Sequence, residues 1–291
     1  MFDFNANFKK ELDPLTIVDI GAMAIGAATN VFEPLTRYEN CRVIGFEPVQ
    51  EECDKLNTLS GKNRCYLPYF IGDGSNRTFY LCTNSMTSSL YQPNIGLLNK
   101  YQNLAELCTV KETCSVSTKR LDDIQEAQDA DFIKIDVQGA ELDVFSGAPD
   151  TLKSALVVYT EVEFLPLYTG QPLFADIDIH LRAKGFQFHK FNTVAGRTLK
   201  PLVINKNINC AMSQQLWADA VYIKDILFLE KLPLAKIVKL ACIMHEVFRA
   251  YDFAHYALMQ YDTLTGSRYA AQYLESLRQN INTPIPQKPV E

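Results

Sequence analysis

Asp131-Phe132-Ile133-Lys134-Ile135-Asp136-Val137-Gln138-Gly139-Ala140-Glu141 sets Lys134 and Asp136 into an otherwise apolar run. A short run rich in Ile, Phe and Val reads as a buried parallel strand, expected over 132–137. A charge inside such a strand is costly unless it is paired or faces a site. Gly139 breaks the run, and a helix is expected from Ala140 to Phe145. Strand, acidic turn and helix together form the repeating unit of an α/β sheet, whose ligand lies beyond the carboxyl ends of the strands.

The same alternation extends to both sides. Leu15–Ile20 is an apolar run closed by Gly21, and Arg42–Phe46 is a second. Pro48 then suits the first turn of a helix over 49–60, which Gly61 stops. Further strands are expected at 64–71, 155–162, 186–191 and 218–224, with a helix at 174–184 ended by Gly185. This order predicts a mainly parallel sheet covered by helices, with an antiparallel last strand because no helix separates the final two strands. Thr78–Cys82 and Thr109–Thr118 alternate polar and apolar residues and form a strand-rich excursion around a helical stretch.

At the amino end, Phe4, Phe8 and Leu12 recur at helical spacing behind Asp3, a suitable N-cap, and Pro14 ends that helix. After Asp225 the pattern is purely helical, with roughly two helices split at Thr263–Ser267, and 283–291 is a Pro-rich tail expected to be disordered. The expected organisation is therefore an N-terminal helix (1–14), an α/β domain (15–225), a helical extension (226–282) and the tail. Between Leu227 and Leu277 apolar and aromatic residues cover more than one helical face. They should pack on the α/β domain, on another subunit, or both, and a homodimer built partly from these helices is expected.

Composition narrows the functional classes. The chain has 291 residues, 47% hydrophobic and 21% charged, with a formal net charge of −6, an ordinary globular balance. No Lys/Arg cluster is available to neutralise phosphates, so sequence-independent nucleic-acid binding is not expected. A small neutral or cationic ligand suits an acidic chain better. Met1–Asp13 lacks the apolar core of a signal peptide, and no apolar stretch reaches the roughly 18 residues of a membrane span, so the chain is expected in the cytoplasm. The eight cysteines form no Cys-x-x-Cys pair and fall in apolar or strand-like runs, as reduced structural residues would.

Site residues follow from strand ends. Val18-Asp19-Ile20-Gly21-Ala22-Met23-Ala24-Ile25-Gly26 ends the first strand in a glycine turn. Its spacing is near that of the dinucleotide fingerprint, but Met23 stands where a glycine must admit a pyrophosphate, which disfavours a nicotinamide cofactor. A cofactor with ammonium and sulfonium charges needs no such glycine and favours a carboxylate, which Asp19 can supply. Glu47 ends the second strand, where one carboxylate can accept from both ribose hydroxyls. Asp136 and Gln138 end the strand at 132–137. On the next strand, two-residue periodicity places Glu161 and Glu163 on one face.

These motifs resemble, in order, those of the FkbM family of methyltransferases dependent on S-adenosylmethionine (SAM). The resemblance rests on Lys134-Ile135-Asp136-Val137-Gln138-Gly139-Ala140-Glu141 with Gly147-Ala148, and on Asp19-Ile20-Gly21-Ala22, Gly45-Phe46-Glu47-Pro48, Leu121-Asp122-Asp123 and Asp219-Ala220-Val221-Tyr222. It implies a class I methyltransferase (Rossmann-like) sheet and methylation of hydroxyl groups on sugars, glycolipids or related natural products. It implies SAM against Asp19, Gly21, Ala22 and Gly26, ribose on Glu47 with Pro48 beside it, adenine near Asp73, and the methionine end near Ser88 or Ser89. The chain departs from many relatives at Ala24, where they have Asn, and the resemblance does not cover 226–291.

Methyl transfer to a hydroxyl calls for a base or a metal. Asp136 is the first candidate for base or positioning acid, followed by Glu161 and Glu163, and then His189 if its ring turns to the crevice. His180, His245 and His255 fall on helices and are not expected to act. Oxygen ligands at Asp136 and Glu161 would suit magnesium or calcium, but no metal motif is present. The long connection 193–217 carries Arg197, Lys200 and Lys206, which can meet an anionic or polyhydroxylated acceptor. Two other classes fit the pattern less well: a nicotinamide oxidoreductase, and a non-catalytic scaffold whose helices do the work.

Overall fold

The computed structural model of the protein describes residues 2–22 and 30–281. Met23, Ala24 and Gly26, which the sequence placed in the glycine turn, lie outside the described residues, as does the Pro-rich tail. The strands are β1 Leu15–Ile20, β2 Cys41–Phe46, β3 Arg64–Leu67, β4 Phe70–Ile71, β5 Asn76–Cys82, β6 Val110–Lys119, β7 Phe132–Ile135, β8 Val157–Glu163, β9 Phe186–Ala195 and β10 Trp217–Lys224. The helices are α1 Phe4–Phe8, α2 Gln50–Leu59, α3 Ile95–Leu98, α4 Leu104–Leu107, α5 Glu141–Ser146, α6 Pro149–Ser154, α7 Phe174–Ala183, α8 Leu234–Glu246, α9 Tyr251–Thr265 and α10 Tyr269–Ile281.

The described residues divide into two compact units, one of 16–22 and 42–225, the other of 2–15, 30–41 and 226–281. In the first, a seven-stranded sheet has the order β3-β2-β1-β7-β8-β10-β9. β1, β7 and β8 pair in parallel, as do β2 and β3, whereas β10 runs antiparallel to both β8 and β9. This is the class I methyltransferase sheet, in which the last strand inserts between the two before it. Ile133, Ile135, Val158 and Val162 are almost fully buried in one core with Val144 and Phe145 of α5 and Ile177 and Leu181 of α7. Each such side chain contributes roughly 1.5–3 kcal/mol on leaving water.

Three boundaries differ from the sequence reading. The strand expected over 64–71 is cut at Pro68, which has no N–H to give a ladder. β3 stays in the main sheet, while β4 joins β6 and β5 in a separate three-stranded sheet. β7 ends at Ile135 rather than Val137, because Gln138 adopts a left-handed backbone, φ 56°. The helical extension holds three α-helices rather than two. The break at Thr263–Ser267 is present after α9, and a second falls between α8 and α9 at Arg249, φ 51°.

In the other unit the Asp3 carboxylate caps α1 by accepting the Ala6 N–H at 3.0 Å. Rings of α1 meet the extension: Phe8 lies against Tyr261 and Tyr269, and Phe4 against His245 and Tyr273. His245 Nδ1 shares a 2.7 Å hydrogen bond with the Tyr273 hydroxyl. Part of the apolar face that the sequence left open is thus covered by α1. Tyr256, Met259 and Leu264 remain exposed on α9. No helix among the described residues is long and apolar enough to cross a membrane.

Candidate active site

Lys134 and Asp19, the charges that interrupt buried strands, stand opposite each other in the β1–β7 register. The Lys134 ammonium is 3.1 Å from Asp19 Oδ1 and donates to the Gly21 carbonyl at 3.2 Å. Burial acts to lower the lysine's pKa, but the charges of Asp19 and Asp136 outweigh it and hold Lys134 above its ordinary value. The pair ties the glycine turn to β7. Asp19 thus faces Lys134 and is not among the residues that line the cavity beside it.

That cavity, of about 840 Å³, opens at the carboxyl ends of β1, β2, β7 and β8. Gly21, Glu47, Pro48, Ser88, Ser89, Asp136, Gln138, Glu161 and Glu163 all contribute to its wall, so most of the expected residues meet there. Gly21 has φ 77°, and a Cβ on it would stand 2.0 Å from the Asp136 carbonyl oxygen, so only glycine lets the two turns touch. Glu47 is 7% exposed, and one of its oxygens accepts the Val49 N–H at 2.8 Å. Burial raises its pKa, opposed by that hydrogen bond.

At the other end of the cavity the Gln138 side-chain amide bridges two acids, donating to Asp136 Oδ1 at 2.8 Å and to Glu161 Oε2 at 2.6 Å. The space where a cation between Asp136 and Glu161 would sit is filled by this N–H donor, and no cluster of three metal-ligating side chains occurs among the described residues. Gln138 is held in turn: its side-chain carbonyl accepts the Tyr168 hydroxyl at 3.2 Å, and its backbone carbonyl accepts the Ser89 hydroxyl at 2.6 Å. Glu161 and Glu163 share one face as expected. Burial first, and then neighbouring carboxylates, push both well above the ordinary carboxylate range. Glu141, beneath them, accepts the Val137 and Gly139 amides, and burial raises it to about 7.

Three other expected residues stand apart. Ala22 is buried against Cys53, Leu56 and Tyr66 rather than in the cavity wall. Asp73 is exposed and outside the wall, and its carboxylate accepts the amide and hydroxyl of Ser75 in a local turn. His189 lies on β9, the edge strand, because β10 inserts between it and β8, and it too is outside the wall. No sequence signal marked Tyr168, which lies in the connection after β8, nor the bridging geometry of Gln138. Of the three cations in the long connection, only Arg197 reaches the cavity.

Comparison with known proteins adds to this geometry. A 69-residue stretch is 48% identical to the 2-O-methyltransferase NoeI of Sinorhizobium fredii (strain NBRC 101917 / NGR234), covering 22% of this chain and 28% of that protein. The chain thus aligns with little more than a quarter of that relative's length. Among solved structures, LepI in complex with SAM aligns over 76% of this chain and 46% of its own at 10% identity, TM-score 0.34. A 16S rRNA (adenine(1408)-N(1))-methyltransferase with cosubstrate SAM from Catenulisporales acidiphilia aligns over 77% and 92% at 10% identity, TM-score 0.34. Likenesses this loose add nothing to the strand order itself. The Methyltransferase FkbM domain matches residues 19–188, which is more than half of the chain and includes the end of β1 with Asp19, and β2, β7 and β8 with the acids at their ends. The chain belongs to the FkbM family of methyltransferases.

Proposed function

We propose that this protein transfers the methyl group of SAM to a hydroxyl of a carbohydrate, glycolipid or related natural product. The observation that carries the reading is the layout of one cavity, with Glu47 at the end of β2 and the Asp136–Gln138–Glu161 array at the ends of β7 and β8. The stretch shared with a 2-O-methyltransferase supports oxygen as the atom methylated. Family membership turns the reading away from a nicotinamide enzyme.

SAM, the methyl donor of the family, fits the residues present. The cavity, at about 840 Å³, is of a size that encloses a ligand of this kind. Glu47 has one oxygen taken by Val49 and one left for ribose hydroxyls. Pro48, Val49, Tyr69 and Ile71 supply apolar wall for a purine, and Ser88 and Ser89 of the same wall would hold the methionine end. Bound SAM supplies an electrophilic methyl carbon, whose bond to sulfur breaks as its bond to the acceptor oxygen forms.

The chain's own groups do the rest. Asp136, steadied at Oδ1 by Gln138, receives the hydroxyl proton at Oδ2. Glu161 and Glu163, whose ionisation is opposed by burial and by neighbouring acids, orient the acceptor through hydrogen bonds. Holding the reactants at near-attack distance, away from water, supplies much of the acceleration. Incubation with methyl-labelled SAM and a panel of saccharides, followed by mass spectrometry, should place the label on an ether oxygen. Label on nitrogen or carbon, or no transfer by protein that binds SAM, would overturn the assignment. Binding of NADH in place of SAM would also overturn it.

A further inference from the structure

Trp217, the first residue of β10, stands opposite Glu163 in the β8–β10 ladder. Directly opposed residues of antiparallel strands put their side chains on one face, with Cβ atoms about 5 Å apart. The Arg197 guanidinium lies over the Trp217 ring, 5.2 Å from its centroid, and both side chains line the cavity. A guanidinium has five N–H donors. Among the described residues Arg197 makes one hydrogen bond, from Nη1 to the Gly196 carbonyl at 2.8 Å, and its Nε is buried without a partner. No described carboxylate pairs with it, although Asp136, Glu161 and Glu163 line the same cavity. Burial lowers its pKa, the mark of a cation lacking a counter-ion.

The backbone that presents Arg197 is fixed. A Cβ on Gly196 would stand 2.3 Å from the Gln214 carbonyl oxygen, so the two segments touch. Thr198 donates both its amide and its hydroxyl to the Cys210 carbonyl, and Leu216 donates to the Ala195 carbonyl. Lys200, three residues on, is paired with Glu106 at 2.8 Å, and neither it nor Lys206 lines the cavity. A fixed guanidinium with idle donors is complementary to an oxyanion, which it holds through two parallel N–H···O bonds.

We infer that the acceptor is anionic: a carboxylate, sulfate or phosphate borne by it docks on Arg197, beside the hydroxyl that meets Asp136, Glu161 and Glu163. This rests on the reading of the cavity as a methyl-transfer site and narrows its substrate class. Glu163, opposite Trp217, has its ionisation opposed by burial and by neighbouring acids.

The test uses the full chain loaded with S-adenosylhomocysteine, the demethylated donor, titrated with D-glucuronate, D-glucose 6-phosphate and D-glucose and followed by ligand-observed NMR. At least one anionic sugar should bind tenfold or more tightly than glucose. That preference should vanish in Arg197→Gln and survive in part in Arg197→Lys, which keeps the charge and loses the fork. A preference confined to the carboxylate or to the phosphate supports the inference and identifies the anion. S-adenosylhomocysteine affinity in the same samples reports that each variant is folded. Equal binding of the three sugars, binding of none, or a preference that persists in Arg197→Gln overturns the anionic acceptor while leaving methyl transfer standing. Failure to bind S-adenosylhomocysteine removes the methyl-transfer reading, and the inference with it.

Discussion

Glu246 and Glu163 are both buried carboxyls, yet their surroundings differ in kind. Glu246, at the end of α8, takes the Arg37 guanidinium at 2.5 Å and the Tyr38 hydroxyl at 2.7 Å. Glu163 has an oxygen without a partner and lies among other acids that raise its pKa. The first carboxyl has a counter-ion and a hydroxyl donor, whereas the second has neighbouring acids that oppose its ionisation. A paired acid adds to stability, whereas a crowd of unpaired acids at a cavity wall costs stability and is kept where chemistry needs shifted protons.

The contrast can be broken or sharpened by substitution. The largest effect is expected at Asp136: Asp136→Asn should lower kcat by about 100- to 10,000-fold, the range of a lost general base, with little change in SAM affinity. Loss of affinity in proportion to rate would make Asp136 an anchor for the donor instead. Glu47→Ala should weaken SAM binding by roughly 1.5–3 kcal/mol in a calorimetric titration, as expected for hydrogen bonds to a charged group. Unchanged affinity in a folded variant takes Glu47 out of the site.

The next pair tests the contrast itself. Glu246→Gln should lower the urea-unfolding free energy by about 1–2 kcal/mol, the lower part of the range because Arg37 is largely exposed. Glu163→Gln should leave stability at pH 8 unchanged or higher, because it removes a group whose ionisation burial opposes. Equal losses in the two variants would erase the distinction. The smallest effect concerns pH. Glu141 rises from its ordinary 4.5 to about 7 on folding, so between these values the folded chain holds more protons than the unfolded one. Its contribution is full below 4.5 and lost as pH rises through about 7. The melting temperature should therefore fall across that window, and Glu141→Gln should flatten the slope.

Much of the site was legible because strand ends are legible. Two-residue periodicity put Glu161 and Glu163 together, and the cost of a buried charge marked Lys134. Its partner was not readable, since Asp19 opposes it only once β1 and β7 become neighbours. Asp73 sat in an Asp-Gly-Ser turn whose own amides satisfy it, which the local sequence already contained. His189 was placed on a correctly read strand, but the rank of that strand in the sheet depends on where β10 inserts. Arg197 could not be told from Lys200 and Lys206, because only the folded connection brings Arg197, and neither lysine, to the cavity. The break at Arg249 has no glycine or proline to announce it.

The insertion of β10 also bears on how the molecule is made. Synthesis proceeds from the amino end, and β9 leaves the ribosome before the strand that must seat it. Until 217–224 emerge, β8 has an open edge whose free amides and carbonyls can pair with any extended chain nearby. Trp217, and with it the seat of the Arg197 guanidinium, arrives in that same segment. The nascent chain therefore completes the wall of its cavity and closes its most adhesive edge in one late step.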